Sequence, residues 1–100
     1  IKTRGYRVEL GAVEAVLVAH TMVSEAAVFS VKKEDETLAI SAAVILNKES
    51  NIDEKGLIDF LKKDLPFYAI PEQVFILEKF PRTGSGKVNR TEIKKELTKI

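Results

Sequence analysis

Two apolar runs separated by a short charged segment constrain the fold of this chain more than any other feature. Ala26–Val31 is rich in Val, Phe and Ala, and Leu38–Leu46 forms a second apolar run. The charged residues 33–36 between them are typical of a polar turn. The pattern therefore predicts two antiparallel strands joined by a charged loop.

The segment before these strands changes from a hairpin pattern to a helical one. Residues 1–8 are basic, with Gly5 near the centre, which predicts a tight hairpin in which Gly5 adopts a positive φ. From Leu10 onward, apolar residues recur at helical spacing through Leu17. This spacing predicts a first helix that ends near His20.

A second amphipathic helix is predicted over residues 51–65, after the two strands. Asn51 with Glu54 three residues later predicts a capping box at its start, and Pro66 is expected to end it. The short apolar run Val74–Leu77 predicts a third strand.

The last helix is predicted near the end of the chain, where Ile93, Leu97 and Ile100 give it one apolar face. A length of 100 residues with 45% hydrophobic and 31% charged residues suits one domain with a modest core. The predicted fold class is therefore α+β: a single domain over residues 1–100, with an N-terminal two-stranded hairpin and a three-stranded sheet packed against helices.

Composition excludes several kinds of site. The chain has no cysteine and one histidine, so disulfides and Cys-based metal sites are excluded, and no metal site is expected here. No stretch approaches the roughly 20 apolar residues of a membrane span, and a reducing cytoplasm fits the lack of cysteine. Because the chain opens on Ile1 and not Met, we expect it to be a fragment of a longer protein.

The net charge of +1 conceals a basic segment at each end of the chain. Residues 1–8 carry three basic side chains and no acidic one, and residues 80–100 carry six basic and two acidic ones. The middle, residues 9–79, carries seven basic and thirteen acidic side chains. This pattern indicates that the two ends face an anion, unless the terminal charges only solvate a short chain.

Residues 81–90, between the third strand and the last helix, form the most informative segment. Glycines and small hydroxyl residues predict a mobile loop that supports a lysine, Lys87, at its end; these residues are Thr83, Gly84, Ser85 and Gly86. A nucleotide-binding P-loop is excluded, because Pro81 stands at its first glycine position and Val88 at its Ser/Thr position. What remains is either an ammonium delivered to an anion or a solvated surface turn.

Three motifs together resemble the C-terminal subdomain of the adenylate-forming superfamily, which includes acyl-CoA synthetases, peptide synthetase adenylation domains and luciferases. They are the segment at residues 81–90, the Leu-Pro-Phe-Tyr-Ala-Ile-Pro segment at residues 65–71, and the opening segment at residues 1–11. They occur in the family's order and spacing, and the resemblance covers essentially the whole chain.

The resemblance implies a reaction in two steps, with a small subdomain that rotates between them. A carboxylate first reacts with ATP, accompanied by Mg²⁺, and releases pyrophosphate; the acyl group then passes to a thiol. Lys87 matches the family's catalytic lysine of the first step, where its charge would stabilise the transition state. ATP and the substrate would be bound mainly by an N-terminal subdomain, which is the expected partner of this chain.

The opening hairpin matches the part of the family that serves the second step and lines the thiol tunnel. Arg4, Gly5 and Tyr6 are the expected tunnel residues, and Gly5 would let the backbone approach the thiol arm. Glu14 is expected to be structural, and Tyr68 to be a packing and hydrogen-bonding residue.

The thiol acceptor has two candidates. The motif forms resemble carrier-protein and amino-acid adenylating members more than fatty acyl-CoA ligases, which favours a carrier protein's phosphopantetheine. Asn89 weakens that preference, because peptide synthetases often have Asp there, and coenzyme A is the alternative acceptor.

A different class of function is a free-standing module that binds anions or nucleic acid through the basic ends of the chain. We do not expect nucleic acid as a partner, because residues 81–100 contain no aromatic residue and the tyrosines and phenylalanines form no recognisable stacking platform.

Overall fold

The structure, a computed structural model, describes residues 1–3, 5–48 and 50–97. Within these ranges the chain forms five β-strands, three α-helices and one 3₁₀ turn. In chain order they are β1 (Lys2–Thr3), β2 (Tyr6–Arg7), α1 (Leu10–Val18), β3 (Val23–Lys32), β4 (Leu38–Leu46), α2 (Glu54–Asp64), the 3₁₀ turn (Phe67–Ala69), β5 (Gln73–Leu77) and α3 (Arg90–Leu97). The predicted α+β class and order of elements are confirmed, while Ile100 lies outside the described residues.

The strands form two separate sheets. β1 and β2 pair as an antiparallel hairpin, and β3, β4 and β5 form a three-stranded sheet with β4 in the centre. β3 and β4 are antiparallel, as the two apolar runs predict, with Val28 opposite Ala42. β5 runs parallel to β4, with Val74 opposite Ala42, so α2 lies in the crossover between two parallel strands.

The charged loop between β3 and β4 is a hydrogen-bonded turn. The Lys33 amide donates to the Thr37 carbonyl over 2.8 Å, and Glu36 takes a positive φ of 73°. The Thr37 hydroxyl and amide donate to the Asp35 carboxylate, which holds the pKa of that carboxyl below its ordinary value. The predicted polar turn is therefore confirmed.

Both faces of the three-stranded sheet are covered. Successive side chains of a strand point to opposite faces, so Val28 packs in one buried cluster and its neighbour Phe29 in another. The first cluster contains the apolar faces of α1 and α2, including Leu17 and Leu61. The second contains Ile93 of α3. We call these the α1/α2 face and the α3 face.

The start of α2 differs from the sequence prediction. The helix begins at Glu54, and its N-cap is Asp53, whose carboxylate accepts a hydrogen bond from the Gly56 amide over 2.8 Å. The predicted capping box of Asn51 and Glu54 is therefore wrong. Glu54 instead accepts from the Val74 amide over 2.8 Å at the free edge of β5, because that strand end offers an unpaired donor.

The C-terminal ends of α1 and α2 lie close to their predicted positions. α2 ends at Asp64, just before Pro66, as expected. α1 ends at Val18, two residues before His20. In the part of the chain that the structure describes, no helix combines the length and apolar character needed to cross a membrane.

Candidate functional site

Lys87 lies in a small β-hairpin, which we call the lysine hairpin (residues 81–89). Arg82 and Val88 form an antiparallel bridge, and the Thr83 amide donates to the Lys87 carbonyl over 2.8 Å. The Asn89 amide closes the stem by donating to the Pro81 carbonyl over 2.9 Å. The predicted loop thus has a hydrogen-bonded hairpin stem, because its backbone groups pair with one another. Its mobility stays a prediction.

The turn of the lysine hairpin contains two glycines, Gly84 and Gly86, and its backbone conformation requires glycine at only one of them. The Gly86 amide donates to the Thr83 carbonyl over 2.9 Å, and Gly86 has a φ of 86°, which side-chain-bearing residues adopt with strain. Gly84 has no positive φ, and an added Cβ would meet nothing within 4 Å. The Thr83 and Ser85 hydroxyls lie 3.0 Å apart and complete the turn. Gly86, and not Gly84, is therefore the glycine that the backbone requires.

Lys87 itself is exposed. Within residues 1–3, 5–48 and 50–97, no hydrogen bond or ion pair of its ammonium is found. A solvated ammonium at the end of a tight turn can approach an anion without first breaking an internal ion pair. This is the geometry that the predicted role of Lys87 requires, and the role itself stays a prediction.

Arg82 attaches the hairpin to the edge strand of the sheet. One of its guanidinium nitrogens, Nη2, donates to both carboxylate oxygens of Glu25 on β3, over 2.6 and 2.7 Å. The other terminal nitrogen, Nη1, lies 3.4 Å from the carbonyl oxygen of Gly86. Arg82 therefore links β3 to the residue that directly precedes Lys87.

Arg90 makes a second attachment three residues after Lys87, at the start of α3. Its guanidinium contacts both carboxylate oxygens of Glu14 on α1, with Nε 3.1 Å from Oε2. The same Oε2 accepts from the Val28 amide over 3.0 Å at the free edge of β3. Glu14, predicted to be structural, thus joins α1, the sheet edge and α3.

The opening hairpin (residues 1–8) contains the residues expected at the thiol tunnel. Gly5 forms its turn with a φ of 81°, and an added Cβ there would meet nothing within 4 Å, so the predicted positive φ is confirmed. Thr3 is buried and donates from its hydroxyl to the Leu38 carbonyl over 2.7 Å, which attaches the hairpin to β4. Arg4 lies outside the described residues. Arg7 is exposed and lies 3.4 Å from the Glu9 carboxylate.

Tyr6 belongs to an aromatic trio with Phe67 and Tyr68, in which Tyr6 and Phe67 are exposed and Tyr68 is half-buried. The Tyr6 and Tyr68 rings are stacked with centroids 4.1 Å apart and planes 7° apart. Phe67 packs edge-on against both and is 63% exposed. The sequence analysis did not identify this trio, because Tyr6 is far from the other two residues along the chain. Tyr68 packs as predicted, but among the described residues its hydroxyl has no partner, so the predicted hydrogen bond is not found.

The two hairpins lie on opposite faces of the three-stranded sheet. Val8 of the opening hairpin is buried in the cluster of the α1/α2 face. Phe80, just before the lysine hairpin, is buried in the cluster of the α3 face, and Val88 packs against that cluster. The apolar residues that anchor the two hairpins therefore pack against opposite faces of the sheet.

His20 and Asn89 each lie at the end of a helix and form a local hydrogen bond there. His20 follows the end of α1, accepts a hydrogen bond from the Met22 amide at Nδ1 over 3.0 Å, and packs edge-on against Phe60. Asn89 accepts from the Glu92 amide over 3.1 Å and so caps α3, a role that the sequence analysis missed although Asn is a favoured N-cap residue. No cluster of three or more His, Cys, Asp or Glu side chains suited to a metal occurs among the described residues.

Comparisons with known proteins cover the region that includes Lys87. A family model described as "AMP-binding enzyme C-terminal domain" matches residues 12–87. Bacitracin synthase 1 from Bacillus licheniformis is 38% identical over 93 residues, which cover 93% of this chain and 2% of the synthase. A probable CoA ligase from Humulus lupulus is 37% identical over 78 residues, which cover 78% of this chain and 15% of the ligase.

Solved structures share the whole fold. ATP-bound MatB from Rhodopseudomonas palustris superimposes with a TM-score of 0.90 at 25% identity, covering 99% of this chain and 20% of that one. An acyl-CoA synthetase from Brucella canis gives a TM-score of 0.84 at 33% identity, covering 95% of this chain and 18% of that one. The chain thus spans a small part of the proteins that it resembles.

Proposed function

This chain belongs to the family of AMP-binding enzyme C-terminal domains, and from that membership we propose that it is the mobile lid of a longer ATP-dependent, AMP-forming ligase. In the first step a substrate carboxylate attacks the α-phosphorus of ATP and displaces pyrophosphate. In the second, a thiol attacks the acyl carbon of the adenylate and displaces AMP. The products are a thioester and AMP.

Lys87 serves the first step in this proposal. In the transition state the anionic carboxylate closes on the anionic α-phosphate, and a positioned ammonium stabilises the negative charge that the two bring together. Lysine suits this role because its charge is compact and its flexible stem can carry it into and out of a site. The support for this role is that Lys87 is exposed, ends a tight turn and matches the family's catalytic lysine in sequence.

The opening hairpin serves the second step. Gly5 turns the backbone with no side chain beyond it, and Tyr6 is 45% exposed on one side of its stack with Tyr68. A phosphopantetheine arm is long and narrow, so a turn without a Cβ allows close approach of backbone to the arm.

One observation carries the assignment of the two hairpins to two steps: they are attached to opposite faces of one three-stranded sheet. A rigid domain with this arrangement presents one hairpin at a time to a single catalytic centre. Alternation between steps then requires rotation of the whole domain, which is the motion of a lid.

We favour the phosphopantetheine of a carrier protein as the thiol acceptor. The motifs at residues 1–11 and 65–71 have the form of amino-acid adenylating members, and the similarity to bacitracin synthase 1 supports this choice. The similarity to a probable CoA ligase and to a solved acyl-CoA synthetase supports the second candidate, coenzyme A.

The experiment is pyrophosphate exchange by the full-length protein against a panel of fatty, aromatic and amino acids. Exchange that depends on one class of acid supports the ligase and identifies its substrate. The loaded enzyme is then offered coenzyme A or a phosphopantetheinylated carrier protein, and thioester formation with one of them identifies the acceptor. No exchange with any acid contradicts the proposal.

A further inference from the structure

The three basic side chains around the lysine hairpin have different surroundings. Arg82 and Arg90 each contact both oxygens of a carboxylate, from Glu25 and Glu14 respectively. Lys87, between them, has no carboxylate partner among the residues that the structure describes. Two of the three cations that could attract a phosphate are therefore already neutralised within the domain.

Both arginine pairs are fixed to rigid elements. Glu25 lies in β3 and Glu14 in α1, and the Glu14 carboxylate is further held by the Val28 amide. Arg90 uses two nitrogens for the two Glu14 oxygens, and such a pair of parallel bonds restricts direction as well as distance. Arg82 uses Nη2 for both Glu25 oxygens and is oriented further by the contact of Nη1 with the Gly86 carbonyl. The side chains of Arg82 and Glu25 are 42% and 32% exposed, and ion pairs at such exposure contribute little to stability. The main effect of these pairs is therefore to fix the position of the lysine hairpin.

We infer that Arg82 and Arg90 are positioning residues that hold the lysine hairpin at the edge of β3, and that neither guanidinium binds the nucleotide. Arg82 acts most directly, since it contacts both Glu25 and the carbonyl of Gly86, the residue before Lys87. Without the side chain of Arg82 or of Glu25, the lysine hairpin can tilt, and the Lys87 ammonium is displaced. This inference rests on the proposed role of Lys87 in adenylate formation.

The test uses the full-length enzyme with three variants: Arg82→Gln, Glu25→Gln and the double variant. Because a misplacement of about 1 Å can cost on the order of 100-fold in rate, each single variant should lower kcat of pyrophosphate exchange about 10- to 100-fold. The KM for ATP should not change, and neither should thioester formation from a supplied acyl adenylate. The double variant should be no slower than the worse single one, because both remove the same contact.

A matched control is available elsewhere in the domain. Lys33, in the turn between β3 and β4, forms an ion pair of similar exposure with Glu72, with Nζ and Oε1 3.0 Å apart. Glu72→Gln should leave both steps unchanged.

The charge-swapped double variant Glu25→Arg with Arg82→Glu should recover part of the lost kcat, which a merely structural defect would not show. Thermal unfolding identifies variants that fail to fold, and Arg82→Lys then replaces Arg82→Gln, because it keeps the charge and loses the Nη1 contact with the Gly86 carbonyl.

Two results overturn the inference. If Arg82→Gln raises the KM for ATP while Glu25→Gln leaves the KM unchanged or lowers it, Arg82 binds the nucleotide. If both variants keep the kcat of the unchanged enzyme, the pair does not position Lys87. Lys87→Ala, measured in parallel, separates this inference from the proposed function: if that variant also keeps full adenylation, it is the role of Lys87 that fails.

Discussion

The opening hairpin and the lysine hairpin use the same turn device and differ in what attaches them to the domain. Each turns at one glycine with a positive φ, Gly5 at 81° and Gly86 at 86°. The opening hairpin is attached by the buried Thr3 and by the ring stack of Tyr6. Charged pairs from Arg82 and Arg90 flank the lysine hairpin, alongside the apolar contact of Val88.

This difference matches the ligand that each hairpin is proposed to meet. A phosphopantetheine arm is uncharged along most of its length, and an aromatic and backbone surface suits it. A reacting carboxylate and α-phosphate carry negative charge, and an ammonium suits them. The paired arginines keep their own charges within the domain, which leaves Lys87 as the cation that the turn offers.

Removing the ammonium of Lys87 should give the largest effect. Lys87→Ala in the full-length enzyme should slow adenylate formation about 100- to 1000-fold, because one preorganised charge is lost from the transition state. Pyrophosphate exchange measures this step. Thioester formation from a supplied acyl adenylate should stay at the unchanged rate, and equal loss in both steps would contradict the division between the hairpins.

Adding a bulky side chain at Gly5 should give the opposite pattern. Gly5→Leu strains a left-handed backbone by about 1 kcal/mol or more and places a side chain at the proposed tunnel. Thioester formation should fall about 10- to 100-fold, as expected for a displaced reactant, while pyrophosphate exchange stays near the unchanged rate.

Two variants control the Gly5→Leu experiment. Gly5→Ala adds the backbone strain with little bulk, so it separates strain from obstruction. Gly11→Leu adds the same bulk on α1, where no positive φ exists and an added Cβ meets nothing within 4 Å. If folded Gly5→Leu loses adenylation and keeps thioester transfer, the two assignments are reversed.

Disrupting the Tyr6–Tyr68 stack should give a smaller effect on the second step. An aromatic pair contributes about 0.5–1.5 kcal/mol beyond its buried area, so Tyr68→Ala should slow thioester formation several-fold and leave adenylation unchanged. Tyr68→Phe keeps the ring and should behave as the unchanged enzyme in both steps. A several-fold loss in Tyr68→Phe would mean that the hydroxyl, not the stack, is the important group.

The turn glycines of the lysine hairpin should give the smallest effect, on stability. Gly86→Ala should lower the free energy of unfolding by about 1 kcal/mol, because Ala resists a φ of 86°. Gly84→Ala should change it by less than about half as much, since its φ is not positive and the added Cβ meets nothing within 4 Å. Denaturant unfolding of the isolated domain and of the full-length protein measures both, and equal losses would mean that the turn is not as described.

Local patterns in the sequence predicted most of the fold. The apolar run Leu38–Leu46 and the helical spacing from Leu10 depend on neighbours along the chain, and β4 and α1 formed there. The start of α2 was predicted wrongly because Asn51 and Asp53 are both favoured N-cap residues. The Glu54 carboxylate accepts a hydrogen bond from the Val74 amide of β5, a contact that the local sequence does not show.

Sequence reasoning also found the two segments of the candidate site, a hairpin that turns at Gly5 and a loop that ends at Lys87, because glycine and lysine patterns are local. The hairpin pairing of the second segment was not predicted. It could not find what attaches them. Glu14 with Arg90 and Glu25 with Arg82 are far apart along the chain, and only the packing of α3 beside β3 brings each pair together. Long-range ion pairs of this kind leave no periodic signal in a single sequence.

Lysine footprinting of the full-length enzyme tests the central claim most directly, namely that the two hairpins take turns at one catalytic centre. Lys87 and Lys2 are both exposed, one on each hairpin, and their rates of modification by an acylating reagent report how each is covered. With ATP and substrate carboxylate bound and reaction blocked, we expect Lys87 to be protected and Lys2 to stay reactive. With AMP and the thiol acceptor bound, we expect Lys2 to be protected and Lys87 to become reactive again. Protection of both lysines in the same complex, or of Lys87 in both complexes, would contradict the account.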